Sequence, residues 1–345
     1  MSAITDLSIC IRGFVNMNVP QVVETVVYAC LGTLVTLVGV PTNIINCLLF
    51  WRQGLRDRMN VCLFSLSLAH GSFFVIVFFT FPVASIIRLH DLVLSQEYFS
   101  KVTLALTGVA RGFYLTSSII NMAVAVDTCV CVVFPHRAAS IMRTKTMASL
   151  IVSCFLLTQG CYVPFPFSYS AAKMSTVNCT YWFPVYTQFY DNNKLFLYLF
   201  RNVTLETVFP VVILTVVTVT TIVTVKTLRT AMMWRENTSC VANNIQRRQV
   251  ALNKMLTMVA IVFIVTYIPH VACQLSFWFV VDRFSDSYVT DQFMAVISIT
   301  SVVYQVNGCL NIFIYYHRSS RFREESHSLL RCLTSHPSDV TKVER

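Results

Sequence analysis

Residues 61–87 read VCLFSLSLAHGSFFVIVFFTFPVASII, 27 residues without one Asp, Glu, Lys or Arg. Wound as an α-helix at ~1.5 Å per residue, such a run covers about 40 Å, more than the ~30 Å of bilayer hydrocarbon. Its apolar residues are continuous rather than alternating, which excludes a strand of a membrane β-barrel. Inside lipid the backbone has to satisfy its own hydrogen bonds, so the run is a helix. Six further stretches read the same way: Val26–Phe50, Val102–Val133, Met147–Phe167, Leu195–Val225, Met255–Val281 and Phe293–Tyr316. The predicted fold is therefore an all-α membrane protein, a seven-transmembrane helix bundle.

Composition agrees. Of the 345 residues 55% are hydrophobic and 12% charged, about half the charged share of a soluble protein, and mean hydropathy is +0.64. A soluble chain could not cover that much apolar surface. The net charge of +10 comes from basic residues between the apolar runs, not from one stripe. It therefore points to loops on anionic lipid and partner proteins, and no nucleic-acid partner is expected. Most of the 13 cysteines, among them Cys47, Cys62, Cys129, Cys131, Cys154 and Cys161, sit inside apolar runs, where the thiol acts as a small hydrophobe. No cysteine or histidine spacing suggests a metal site, and no cofactor is expected. Residues 1–25 hold no apolar run of signal-peptide length, so the first helix would act as the insertion signal.

Orientation follows from Lys and Arg in the connecting segments. With the N-terminus outside, the inner loops and tail hold Arg52, Arg56, Arg58, Arg137, Arg143, Lys145, Lys226, Arg229, Arg235, Arg247, Arg248, Lys254, Arg318, Arg321, Arg323, Arg331, Lys342 and Arg345. The outer side holds Arg12, Arg88, Lys101, Lys173, Lys194, Arg201 and Arg283. Residues 1–25 are then an extracellular N-terminus, 26–316 the bundle, 317–332 an amphipathic eighth helix and 333–345 a cytoplasmic tail. The localisation this predicts is the plasma membrane, multi-pass. Asn178-Cys-Thr falls outside and is a glycosylation site in this topology, whereas Asn237-Thr-Ser falls inside and should stay bare. Asn202-Val-Thr lies close to the fifth helix. Residues from about Ser319 to Leu330 set Phe322, Leu329 and Leu330 against Arg318, Arg321 and Arg323, and Cys332 follows as a palmitoylation candidate.

Polar and proline residues inside the helices narrow the class. Gly39-Val-Pro-Thr-Asn43 stands in helix one, and Asn60-Val-Cys-Leu-Phe-Ser-Leu-Ser-Leu-Ala69-His70 in helix two. Helix three ends Ala125-Val-Asp127-Thr128-Cys129-Val-Cys-Val-Val-Phe-Pro135. Phe209-Pro210 lies in helix five, Phe263-Ile-Val-Thr266-Tyr267-Ile-Pro269 in helix six, and Asn307-Gly-Cys-Leu-Asn311-Ile312-Phe-Ile-Tyr315 in helix seven. In this order the segments resemble the helix-by-helix motifs of rhodopsin-like G-protein-coupled receptors, over about residues 26–332. Local texture such as C-V-C-V-V-F-P and S-S-R-F-R-E resembles invertebrate orphan receptors of the neuropeptide or chemosensory kind. Phe322 stands where that family's short eighth helix packs an aromatic. The resemblance implies a cell-surface receptor for an extracellular peptide or small molecule, with a heterotrimeric G protein as partner.

The resemblance also assigns an activation switch to Asp127, Thr128, Phe263, Tyr267, Pro269, Asn311 and Tyr315, and a polar core to Asn43, His70, Ser117 and Asn307. Several positions depart from the pattern. Thr128 replaces the arginine that in relatives latches to the neighbouring acid, and threonine cannot make a charge-assisted fork. That weakens the expected G-protein contact, and Arg137 or Arg143 are alternative partners for Asp127. His70 replaces the aspartate that helps hold sodium, so the ion site implied by Ser117, Asn307 and Asn311 is expected to be lost. His70 is then either a neutral hydrogen-bonded core residue or a proton sensor. Ile312 replaces the helix-seven proline, Tyr267 the helix-six tryptophan, and Thr218 a helix-five tyrosine. No cysteine lies between Cys62 and Cys129, which leaves Cys179 without the family's disulfide partner and Cys10 as an outside candidate. Pro210 and Pro269 lack a backbone donor, giving either static kinks or points where half-helices swing.

Arg111 and Glu206 are charges at membrane depth, where charge is costly unless paired or functional. They form either an internal salt bridge or a receptor for an acidic ligand group, with His270, Gln274, Tyr304 and Gln305 lining the same cavity. Helix seven has no lysine, which argues against retinal. No catalytic motif appears in its required context, so no enzyme is expected. A transporter would show a repeat, and none stands out. The alternatives that remain are a receptor-like protein that binds ligand without signalling and, behind it, a small-solute transporter.

Overall fold

The computed structural model describes residues 19–135, 143–175, 180–238, 244–281 and 287–334, with the backbone alone for 234–238, 244–248, 277–281, 287–290 and 332–334. Seven helices long and apolar enough to cross a bilayer run up and down: α1 Val19–Gln53, α2 Arg58–Arg88, α3 Leu92–Val133, α4 Thr144–Phe167, α5 Lys194–Met233, α6 Gln249–Ser276 and α7 Asp291–Arg318. A last helix, α8 Ser320–Thr334, follows. α3 packs against α2, α4, α5 and α6, and α7 returns to α1, closing the ring. Several helices outrun their apolar stretches. α1 begins at Val19 rather than Val26, so the last residues assigned to the N-terminal segment are helical. The helix containing α6 is continuous from Asn244 to Val281. Hydropathy marks only the lipid-solvated part of a helix, whereas the backbone ladder continues past it.

Polarity is inverted as lipid requires. Leu34, Leu37, Leu156, Leu157 and Val265 are exposed, whereas Asn43, His70, Asn121, Asp127, Asn307 and Asn311 are buried. Asn43 donates to Gly39 O at 2.8 Å and to Gly308 O at 3.1 Å, tying α1 to α7. Both glycines make room for the Phe74 ring of α2. A Cβ on Gly39 would lie 2.6 Å from the Phe74 ring, and one on Gly308 2.9 Å from the same ring. Phe74 is 1% exposed and held from both sides. Gly39→Ala is accordingly expected to cost about 1–3 kcal/mol by overpacking, read as a lower thermal midpoint of the purified protein. An unchanged midpoint would show that the ring can give way.

The segment between α4 and α5 contains a hairpin that hydropathy does not reveal: β1 Tyr169–Ser175 pairs antiparallel with β2 Thr180–Tyr186, Tyr169 opposite Tyr186. The bundle itself is helical as expected, and the hairpin is an addition at its end. Beyond its apolar spans the chain is free to pair strands, and aromatic contacts hold the pair. Tyr169 and Tyr186 rings lie 5.2 Å apart and Tyr186 stacks on Tyr190 at 4.1 Å. Lys101 of α3 sits 4.1 Å over the Trp182 ring, with Lys173 at 5.7 Å. A cation–π contact thus joins α3 to the hairpin where relatives are expected to have a disulfide. Cys179 and Asn178 lie outside the described residues.

At the opposite end α8 folds back onto the bundle. Phe322 is 1% exposed, and its ring packs on Phe50 and Tyr315 at 5.5 and 5.6 Å, with Phe50 and Tyr315 5.2 Å apart. Ser319 Oγ accepts from Phe322 N, capping the helix, and Arg321 donates to Gln53 O at 2.6 Å. The eighth helix and its buried aromatic stand where the sequence places them. Leu330 is exposed. Cys332 is on α8, but its side chain lies outside the described residues.

Candidate functional site

A cavity of about 330 Å3 opens at the hairpin end of the bundle, the scale of a small-ligand pocket. Arg111, Glu206, His270, Gln274, Tyr304 and Gln305 all line it. The six come from α3, α5, α6 and α7, brought together by the ring closure of the bundle. Arg111 and Glu206 form an ion pair across the α3–α5 contact. Below the charges the walls turn aromatic: Tyr114 meets Tyr304 edge-on at 4.6 Å and His270 at 5.6 Å.

One lining residue does not follow from the sequence pattern. Arg201 lies in the same wall as Glu206, five residues earlier. In an α-helix five residues turn through about 500°, leaving the two side chains about 140° apart. Here Leu199–Val208 is wound as a π-helix, whose i→i+5 bonding brings residues five apart onto one face. Side chains follow the same winding, Thr204 Oγ1 donating to Leu199 O and Thr207 Oγ1 to Asn202 O. The π run ends where Pro210 begins. The proline ring crowds the carbonyl four residues back, at Glu206, and supplies no N–H, so α-helical bonding cannot continue upstream unchanged. Arg201 donates through Nε to Asn202 Oδ1 at 2.9 Å and through Nη1 to the Tyr169 hydroxyl at 3.2 Å. Its guanidinium lies 5.3 Å from the Phe165 ring, and that of Arg111 lies 5.7 Å from the same ring.

The cavity floor is continuous with the residues assigned to the switch. Tyr267 is fully buried, stacks on Phe263 at 4.7 Å and meets Tyr304 at 5.5 Å. Pro269 lies inside the same helix two residues on. Ser117 and Ser118 hydroxyls lie 3.1 and 3.2 Å from the Tyr304 hydroxyl. Ser117 thus reaches the cavity floor through Tyr304. The His70 ring lies against α7, 3.3 Å from a Cβ built on Gly308. Both of its nitrogens, both side-chain polar atoms of Asn307, Asn311 Oδ1 and the Tyr315 hydroxyl are buried without a hydrogen-bond partner among the described residues.

At the α8 end a cleft of about 690 Å3 is lined by Arg56, Arg58, Cys131, Arg143, Gln249 and Asn253, among others. Asp127, fully buried, meets Arg58 of α2 at 3.4 Å. The same guanidinium donates to Cys131 Sγ at 2.7 Å. Arg58, and not Arg143, takes the acid, while Arg137, the other expected partner, lies outside the described residues. Thr128 turns into its own helix, donating to Val124 O at 2.7 Å, so its hydroxyl does not reach the cleft.

The sequence model of the family described as "7 transmembrane receptor (rhodopsin family)" matches residues 42–315, most of the chain. A comparison with curated proteins returned no match.

Proposed function

Because the chain belongs to the seven-transmembrane receptor family of rhodopsin type, a receptor family rather than an enzyme family, we propose that it is a plasma-membrane receptor whose hairpin end faces outward. An extracellular peptide segment or small molecule occupies the cavity, and a heterotrimeric G protein engages the cleft at the α8 end. The observation that carries this reading is the unbroken aromatic path from cavity to switch. Tyr304 lines the cavity and touches Tyr267, which lies two residues before Pro269 and stacks on Phe263. A ligand that displaces Tyr304 shifts ring contacts inside a helix weakened by proline, and so biases how the α6 half beyond it swings.

The resting contact at the α8 end is the Arg58–Asp127 pair. It supplies from α2 the guanidinium that Thr128 cannot supply from α3. Heterologous expression with reporters for several G-protein classes tests the whole reading: ligand-dependent output without solute flux is expected. The withdrawal of the Thr128 hydroxyl onto Val124 favours one rival, a receptor that binds ligand and does not signal. Ligand binding with no output across the panel would establish that rival.

Orientation has its own test. Asn178 should carry a glycan and Asn237 should not, because the proposed topology puts them on opposite sides of the membrane. Glycosidase treatment should shift the mobility of wild type and lose that site's contribution in Asn178→Gln. Modification at Asn237 instead would invert the topology. Acylation of Cys332, at the end of an α8 pinned to the bundle by Phe322, fits the same orientation.

A further inference from the structure

The charges around the cavity do not balance. Two guanidiniums, Arg111 and Arg201, and one carboxylate, Glu206, line it among the described residues. Glu206 is taken by Arg111. Arg201 is held by neutral partners, an amide oxygen, a phenol and the face of Phe165, and no acid lies within salt-bridge distance of it among the described residues. Its Nη2 makes no hydrogen bond among them. A permanent cation at the edge of a membrane protein interior, held by neutral groups and turned to a cavity, favours an anion as the occupant. The π winding before Pro210 is what turns it there, since α-helical winding would carry Arg201 away from the wall that Glu206 occupies.

We infer that Arg201 is the docking group for the anionic end of the ligand, and that the ligand is a monoanion, a carboxylate on an aromatic body. The inference rests on the cavity being the ligand site. One negative charge neutralises the lining. The carboxylate takes the free edge of the Arg201 guanidinium as a charge-assisted pair, and the Arg111–Glu206 pair stays intact beneath it. The body of the ligand then lies on Phe73, Tyr114 and Tyr304, reaching the floor that touches Tyr267. This differs from an acid displacing Glu206 from Arg111, which would have to break a pair already made.

The test uses the full-length receptor in lipid nanodiscs and three probes: phenylacetate, 3-phenylpropionate and indole-3-acetate, each beside its primary amide. Saturation-transfer NMR and competition among the probes give relative affinities. At least one acid is expected to bind ten times or more tighter than its amide, in a saturable manner. Arg201→Gln should remove that preference, whereas Arg201→Lys, which keeps the charge and loses the fork, should retain part of it. A folding control is the thermal midpoint of each variant.

Four results overturn the proposal. If the acids bind and Arg111→Gln rather than Arg201→Gln abolishes the preference, the anion sits on Arg111 and the cavity remains the ligand site. If acids and amides bind alike in wild type, the cavity is a ligand site for neutral molecules and the anionic class fails. If none of the six probes binds saturably, the monoanion with an aromatic body is excluded, and reporter output to other ligands then decides separately whether the cavity is used. If Arg201→Gln and Arg201→Lys both fail to fold, while a Tyr169→Phe variant folds and keeps the full acid preference of wild type together with its affinity for every amide, Arg201 is a structural tie and the docking role is rejected.

Discussion

Glu206→Gln is expected to lower the amount of receptor at the cell surface more than Arg111→Gln does. Glu206 is the single carboxylate in the cavity lining among the described residues, where it pairs with Arg111, and the Arg111 and Arg201 guanidiniums both lie near the Phe165 ring. Removing Arg111 leaves the acid with Arg201 as a neighbour in the same wall. Removing the acid leaves two cations and nothing to oppose them. Stranding one member of a buried pair costs about 3–5 kcal/mol. The Arg111 side chain is 38% exposed, so solvent screening reduces that to roughly half. Against the marginal stability of a folded domain, even half is enough to change abundance. The charge-swapped double variant, Arg111→Glu with Glu206→Arg, keeps the sum of charge in the cavity and should recover part of the surface level. Flow cytometry on intact cells reads all three. Equal surface levels would show that the pair contributes nothing to folding.

Arg58→Gln is expected to raise signalling in the absence of ligand. The pair it removes joins α2 to α3 at the α8 end, where Asp127 is fully buried and Arg58 is 19% exposed. Close charge pairs couple by about 1.5 kcal/mol or more, and a 3.4 Å ion pair buried on the acid's side falls in the lower part of that range, about 1.5–3 kcal/mol. If the pair exists only at rest, its loss shifts the resting–active equilibrium by roughly 10- to 150-fold. Asp127→Asn removes the same contact without leaving a buried carboxylate, so it should raise basal output with less loss of surface receptor. Because both changes delete one interaction, the double variant should exceed the larger single variant little or not at all. Basal reporter output normalised to surface receptor is the measurement. Normalised output unchanged in both single variants would show that the pair persists in the active state and is no lock.

Much of the site is legible in the order of the residues. Arg111, His270, Gln274, Tyr304 and Gln305 line one cavity because family-like spacing on long α-helices fixes which residues face the bundle, and Glu206 joins them from the π-wound part of α5. Asp127 stands out as an acid at membrane depth, since such a group needs a partner or a use. The identity of its partner is not legible in the same way. Arg58 belongs by sequence to a basic loop and reaches Asp127 only because α2 starts at Arg58, its first turn capped by the Asp57 side chain, beside the end of α3. Linear distance between the two residues carries no hint of it.

Residue order alone dictates the seven spans, the uneven charge of their two ends and the amphipathic eighth helix, whereas the packing of Phe322 on the bundle comes from the family resemblance. Those three follow from a free energy that is local: transfer of apolar side chains to lipid, and a backbone that must bond to itself there. The hairpin Tyr169–Tyr186, the Arg58–Asp127 pair and the place of Arg201 in the cavity wall emerge only once the helices are packed. The first lies outside lipid, where hydropathy says nothing about pairing. The second is a contact between helices. The third depends on ten residues of π winding ahead of Pro210, a choice set by how α5 packs on its neighbours as well as by the proline. A five-residue spacing means one face under one winding and nearly opposite faces under the other, and residue identity does not state which winding the chain takes.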